Sequence, residues 1–320
     1  MKKVLNLFRA PVSKETLGFF RIAVSTFALI QFFVLLPDWM ILYGPDGILP
    51  WQISEAIASE NVPTLTGMMN LLAPFEVSAN GTLYMVSAIY FLTLLGLLFG
   101  FKTRLMGILA WLMHLMLNTT GHLTAYGVET FMHISLFYCM VLPVGCCWSV
   151  DAARKPNVIP AHLITLSVRL IQIHLAIMYF ASGVEKAMGE QWWNGDAIWI
   201  ALQQDQFRQV NTNWLANYPL VAKMLCMGTL LVETFYPLGM LIPKTRKIWL
   251  TAILSMHVFI GIFLGLHLFA GLMILLNLSA YAGHCFPGFF RNRFKITGKK
   301  DTAYHEKILG KLFNEYQAQQ

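Results

Sequence analysis

The feature that most constrains this chain is its supply of long apolar runs separated by short polar connections. Segments of about 17 to 25 apolar residues, some shorter, can be drawn at roughly 17–37, 82–100, 104–118, 127–143, 162–184, 221–242, 248–265 and 267–283. Charged residues make up only 12% of the 320, about half the share usual in a soluble domain. In lipid every backbone N–H and C=O must find a partner within the chain, so runs of this kind are expected to be helices. The expected fold is therefore all-α: a polytopic membrane helical bundle of about eight transmembrane helices with outer-face loops or interfacial helices. Residues 1–284 are expected to form the transmembrane domain, and 285–320 a basic tail lying on the cytoplasmic leaflet.

The loop charges orient that bundle. Lys2, Lys3, Arg9 and Lys14 precede the first segment, Lys102 and Arg104 follow the second, and Arg154 and Lys155 follow the fourth. Lys244, Arg246 and Lys247 follow the sixth, and the tail carries Arg291, Arg293, Lys295, Lys299 and Lys300. The alternate connections at 38–81, at 119–126 and around Gly265 have no lysine or arginine, and only 185–220, with Lys186 and Arg208, departs from the pattern. The positive-inside rule then puts both termini in the cytoplasm. In a bacterium this means the inner membrane, with Lys186 on the periplasmic side. The start MKKVLNLFRAPVSKET has no cleavage pattern, so insertion by the first span is expected. The net charge of +7 is a topology signal on this reading, and no nucleic-acid partner is expected. The five cysteines, Cys139, Cys146 and Cys147 among them, show no zinc spacing; they are expected to be packing thiols, with a disulfide left open.

Two stretches lie outside the apolar segments on the lysine-poor side. Pro37 to Asn80 contains the turn-forming YGPDGILP and then a mixed apolar and acidic run suited to a helix at the interface. The second, QQDQFRQVNTNWLANYP, is polar and aromatic. Together they are candidates for a lid over the outer ends of the helices.

Within the apolar segments stand Arg21, Glu129, His133, Arg169, His174, Glu233 and His257. An ionisable group at the bilayer centre costs about 2.5 to 3.5 kcal/mol on insertion scales, so each needs a partner or a wet cavity. Ion pairing that fixes helix packing is one reading, for instance Glu233 with Arg21 or Arg169. Glu129 and His133 share a helix face, a spacing too weak to imply a metal, and none is expected. Lys186 ends the run that begins near Ala161 and is followed by Trp192 and Trp193. It is either an interfacial anchor that snorkels outward or a desolvated amine able to act as a base.

Taken in order, six further features resemble the transmembrane part of the vitamin K-dependent gamma-glutamyl carboxylase family and its bacterial relatives, the HTTM proteins. They are FRIAVSTFALI (20–30), LLGLLFGFKTRL (94–105), GHLTAYG (121–127), WSVD (148–151), YFASGVEKAMGEQWWNG (179–195), and the spacing of His257 to Phe269. The resemblance implies that Lys186 is the base that deprotonates a reduced vitamin K or menaquinol. Dioxygen and carbon dioxide are then co-substrates, and the product is a carboxylated glutamyl or other small substrate. It places His122 on the outer-loop histidine and His257 on the span histidine. Tyr126, Trp192 and His267, at the same outer level, become the candidate cofactor contacts. Two positions depart from the family: Glu185 replaces a second lysine, and a carboxylate close to Lys186 opposes a basic role; Gly121 replaces an asparagine. No large extracytoplasmic domain follows the eighth segment, which points away from a propeptide-bearing protein and toward a peptide or small-molecule substrate.

Three function classes follow. The first is a membrane enzyme with a quinol site facing outward. The second is a non-catalytic HTTM protein serving peptide maturation, immunity or binding. The third, a transporter relaying protons through Glu233 and the histidines, lacks an inverted repeat or paired broken helices in the sequence.

Overall fold

The computed structural model describes residues 12–59, 62–155, 159–207 and 209–285, with side chains described as far as 282. The basic tail expected after 285 lies outside the described residues, as do Lys2, Lys3, Arg9 and Arg208. The fold is all-helical, with no strand among the described residues. In order the helices are α1 (Glu15–Leu35), α2 (Trp39–Tyr43), α3 (Trp51–Ile57), α4 (Leu65–Leu72), α5 (Ala79–Phe99), α6 (Thr103–Thr120) and α7 (Gly127–Val141). After them come α8 (Val150–Arg154), α9 (Ala161–Ala187), α10 (Glu190–Asn194), α11 (Asp196–Gln203) and α12 (Pro219–Thr234). The last three are α13 (Tyr236–Leu241), α14 (Arg246–Leu264) and α15 (His267–Cys285).

Each of the eight apolar segments is helical. Among the described residues four stretches are long and apolar enough to cross a membrane: Glu15–Tyr43, Ala79–Phe99, Ala161–Ala187 and Arg246–Leu264. Eighteen helical residues rise about 27 Å, close to the thickness of the hydrocarbon core. Large apolar side chains such as Phe33, Leu92, Leu166, Ile177 and Ile248 are exposed on the outside of these helices, a surface that suits lipid rather than water. Short connections make α5 and α6, α6 and α7, and α14 and α15 neighbours, while α1 packs against α5 and α15.

The segment expected as one helix over 221–242 is two. Pro237 has no N–H to donate and its ring crowds the carbonyl four residues back, so the helix breaks after Thr234 and restarts at Tyr236. The break leaves Glu233 in the last turn of α12. The excursion after α2 folds back as α3 and α4, with Thr64 capping α4 through Gly67 N. It is fastened by Ser54 Oγ donating to Thr119 O (3.2 Å), Trp51 Nε1 to Tyr43 O (2.9 Å) and Trp39 Nε1 to Ser87 Oγ (2.8 Å). It therefore covers the start of α5 and the end of α6.

At the opposite ends of α5 and α6, Arg21 is fully buried. Its guanidinium donates to the carbonyls of Leu97, Leu98 and Trp148, and to Val144 O at 3.3 Å. Helix α5 ends there in Gly100, whose φ of +67° only glycine adopts without strain, and a Cβ at that position would lie 2.3 Å from Ser149 Cβ. Arg21 thus satisfies carbonyls that a helix end and a tight loop would leave unpaired. Neither Arg21 nor Arg169 holds Glu233: Arg169 donates to Gln172 Oε1 at 2.7 Å. The ion pairs expected from the sequence are corrected accordingly.

Nearby, Asp151 accepts from Lys102 N, Thr103 N and Thr103 Oγ1 at 2.7 to 2.8 Å. Partial burial raises its pKa, but these hydrogen bonds outweigh that effect and hold it below the ordinary aspartate value. Cys139, Cys146, Cys147 and Cys226 are free thiols. Burial pushes Cys146 up to about 11, so it is not a ready nucleophile. Replacing Arg21 by leucine should strand several buried carbonyls and cost at least about 3 kcal/mol, with lysine recovering only part because it lacks the planar fork. Thermal unfolding in detergent measures this, and an unchanged midpoint for the leucine variant would contradict it.

Candidate functional site

Helices α9 and α12 come closest at Gly183. A Cβ on Gly183 would lie 2.5 Å from Thr234 N, so glycine is what permits the backbones to approach. One turn further along α9, Lys186 Nζ donates to Glu233 Oε2 at 2.8 Å and to Ser182 Oγ. The lysine side chain is 25% exposed and the glutamate 7%. Lys186 lies in the last turn of α9, where the helix dipole favours a cation. The Trp192 ring sits over the amine, with Nζ 5.5 Å from its centroid.

Lys186 is not at the rim of the bundle. The chain continues past it through α10, and Gly195 reaches the backbone of Lys223, ten residues before Glu233 on α12 and therefore about 15 Å further along that helix. Cys226 Sγ donates to Gly195 O there. Trp192 covers the lysine and Gly195 ties the end of α10 to α12; a snorkelling side chain would instead point away from the protein. Glu185, the carboxylate that the sequence set beside the amine, is exposed. Glu233, brought from a distant part of the chain, takes that place.

Two turns before Lys186 on α9, Tyr179 begins a buried polar chain. Its hydroxyl lies 2.7 Å from His257 Nε2 on α14 and accepts from Asn277 Nδ2 on α15 at 2.8 Å. Asn277 Oδ1 in turn accepts from Tyr236 O–H at 2.7 Å. His257 is 2% exposed, and its Nδ1 has no hydrogen-bond partner. Lys186 is close enough to His257, and Glu233 to Tyr179, to interact electrostatically. The Phe269 ring packs edge-on against His257, 5.8 Å between centroids, and its far side meets Gly127, where a Cβ would lie 2.9 Å from Cε2.

Of the six candidate residues, Lys186, His257 and Trp192 form one cluster. His122 is exposed on the turn before α7, and no hydrogen bond, ion pair or ring contact joins it to Lys186 or His257 among the described residues. Tyr126 and His267 are also exposed, at the starts of α7 and α15. Around Lys186 stand one imidazole, His257, and the Glu233 carboxylate.

Glu129 and His133 do not converge. Glu129 accepts from Tyr126 N (2.8 Å) and Gln31 Nε2 (3.2 Å), while His133 stacks on Trp111 and lies 3.4 Å from His114 across their Nδ1 atoms. A cavity of about 20 Å³ lies beside Gln31, Tyr43, Tyr90, His114, Asn118 and Glu129, room for a water molecule. His174 is bonded to Tyr138 O–H at 2.6 Å.

A family model for the HTTM domain matches residues 53–281. The chain belongs to the HTTM domain family. No curated protein and no solved structure matches it. With four helices of spanning length and composition, this HTTM protein is an integral membrane protein. Tyr179, Lys186, Glu233, His257 and Asn277 all fall inside the matched HTTM region, whereas Arg21 precedes it.

Glu233, Tyr179, Asn277 and Tyr236 complete the cluster and were not assigned to the site from the sequence. The available signals were Pro237 four residues after Glu233, the seven-residue spacing of Tyr179 to Lys186, and an amide within the apolar run of α15. A double-mutant cycle with Lys186→Met and Glu233→Gln should give a coupling of about 1 to 3 kcal/mol, below a fully buried pair because Lys186 is partly exposed. Thermal unfolding of the four proteins measures it, and additive effects would contradict the pairing.

Proposed function

We propose that this HTTM protein is a carboxylase-like membrane enzyme that couples oxidation of a reduced quinone to proton abstraction and CO₂ addition on a glutamyl or other small substrate. The observation that carries the reading is an amine, a carboxylate and an imidazole gathered on three helices, Lys186, Glu233 and His257. The residues present fit a quinol: the ion pair offers a proton acceptor, His257 Nδ1 is a buried polar atom without a partner, and Trp192 and Phe269 offer aromatic walls. When bound, reduced vitamin K or menaquinol would supply, together with dioxygen, the reducing equivalents and the strong base that the substrate proton requires.

The chain's own contribution begins with the shared proton. Moving it across 2.8 Å from Lys186 Nζ to Glu233 Oε2 turns the ion pair into an amine and a carboxylic acid. In that form Nζ has a lone pair to take a hydroxyl proton. Glu233 thereby takes up the proton that would otherwise keep the amine charged, which answers the objection raised by a carboxylate near the base. Ser182 Oγ and the Trp192 ring hold the amine in place. The Lys and Arg distribution among the loops supports eight crossings in a bacterial inner membrane, both termini cytoplasmic, and a periplasmic site.

The second reading is a non-catalytic HTTM protein for peptide maturation, immunity or binding. The close approach of Gly183 to Thr234 favours it, because an ion pair one turn away then serves as a clasp between α9 and α12. Lys186→Arg separates the two readings, since a guanidinium keeps the pair but does not give up its proton. Menaquinol- and oxygen-dependent product formation in proteoliposomes should fall at least about 100-fold, with the unfolding temperature retained. Turnover equal to that of the unaltered protein would overturn the enzymatic reading.

A further inference from the structure

The buried chain on α9, α13, α14 and α15 constrains where its protons lie. Asn277 is the starting point. Its Nδ2 lies 2.9 Å from Met273 O and 2.8 Å from Tyr179 Oη, and its Oδ1 lies 2.7 Å from Tyr236 Oη. Exchanging the amide oxygen and nitrogen would set an acceptor against the carbonyl of Met273, so the orientation is determined by the chain itself. One amide hydrogen goes to Met273 O and the other to Tyr179, while Tyr236 donates its hydroxyl proton to Oδ1. Tyr179 Oη is then an acceptor toward Asn277; sending its own proton to His257 Nε2 at 2.7 Å leaves one buried donor unpaired, whereas accepting a second hydrogen from Nε2 would orphan both the phenol O–H and Nδ1. An Nε2 that accepts carries a lone pair, and a neutral imidazole with a lone pair on Nε2 carries its hydrogen on Nδ1.

That Nδ1 is buried and has no acceptor. Buried donors in folded proteins are nearly always paired, and an orphan marks either a cost or a partner that arrives from outside. Here the surroundings select the partner. Lys186 lies within electrostatic range of the same imidazole, and the edge-on Phe269 ring flanks it. An N–H beside a cationic amine suits an oxygen that holds or develops negative charge.

We propose that Tyr236, Asn277 and Tyr179 are positioning residues that lock His257 as the Nδ1–H tautomer, and that this N–H is the donor for a carbonyl or phenolate oxygen of a bound quinone-type ring. The ligand class rests on the quinol reading above; the tautomer does not. By holding Nε2 as an acceptor, the chain prevents His257 from competing with Lys186 as a proton acceptor and leaves it a hydrogen-bond donor.

The test is ¹⁵N NMR of the full-length protein, labelled at histidine and embedded in lipid bilayers, with the His257 resonances assigned by their loss in His257→Gln. The unaltered protein should show a protonated Nδ1 and an unprotonated Nε2. Tyr179→Phe should lose the pure tautomer and gain an Nε2–H signal, and saturating menadione should shift Nδ1 in the unaltered protein. A protonated Nε2 in the unaltered protein overturns the tautomer assignment without reliance on any variant's folding, as does a Tyr179→Phe spectrum identical to it. An Nδ1 resonance that menadione leaves in place overturns the ligand assignment. None of these readouts depends on turnover, so loss of the enzymatic reading through Lys186→Arg leaves the tautomer intact.

Discussion

A charge carried into the apolar interior of a helical bundle must meet its counterpart there, and the Lys186–Glu233 pair is where this chain meets that requirement. Much of the surrounding architecture serves that meeting. Gly183 lets α9 reach the backbone of α12, Pro237 ends α12 just beyond Glu233, and Gly195 ties the chain after Lys186 back along α12.

Arg21 and Lys186 illustrate different uses of the same physics. Arg21 is wholly enclosed, and its guanidinium is saturated by carbonyls of a helix end and a loop. Nothing is left over for a ligand, so its role is to join α1 to the α5–α8 end of the bundle. Lys186 is partly exposed, has a single carboxylate against it, and stands near a histidine with an unused nitrogen. That unpaired nitrogen departs from the usual pairing of buried polar groups, which Arg21 keeps in full.

The helical architecture was legible because apolar length is a strong signal, and the helix ends lie within a few residues of the segments drawn from hydropathy. The exception, the break at Phe235, was written in Pro237 but hidden by the surrounding apolar residues. Lys186 and His257 were legible through residue type and order. Glu233 was visible as an intramembrane acid, yet its partner was not, because Arg21, Arg169 and Lys186 are equally plausible until the helix packing is known. The polar chain through Tyr179, Asn277 and Tyr236 uses residue types common in apolar helices, and only their spatial convergence distinguishes them. The motif placed His122 on an outer loop, and it stands on an exposed turn; that no hydrogen bond or ring contact among the described residues joins it to Lys186 or His257 follows from packing that no periodicity encodes.

The most direct test is an experimentally determined structure of the protein in lipid nanodiscs with reduced menaquinone. The account predicts ring density between Lys186 and His257, flanked by Trp192 and Phe269, with Lys186 Nζ still within hydrogen-bond reach of Glu233. Ring density on other helices, or a Lys186 turned to the headgroups and separated from Glu233, would contradict it.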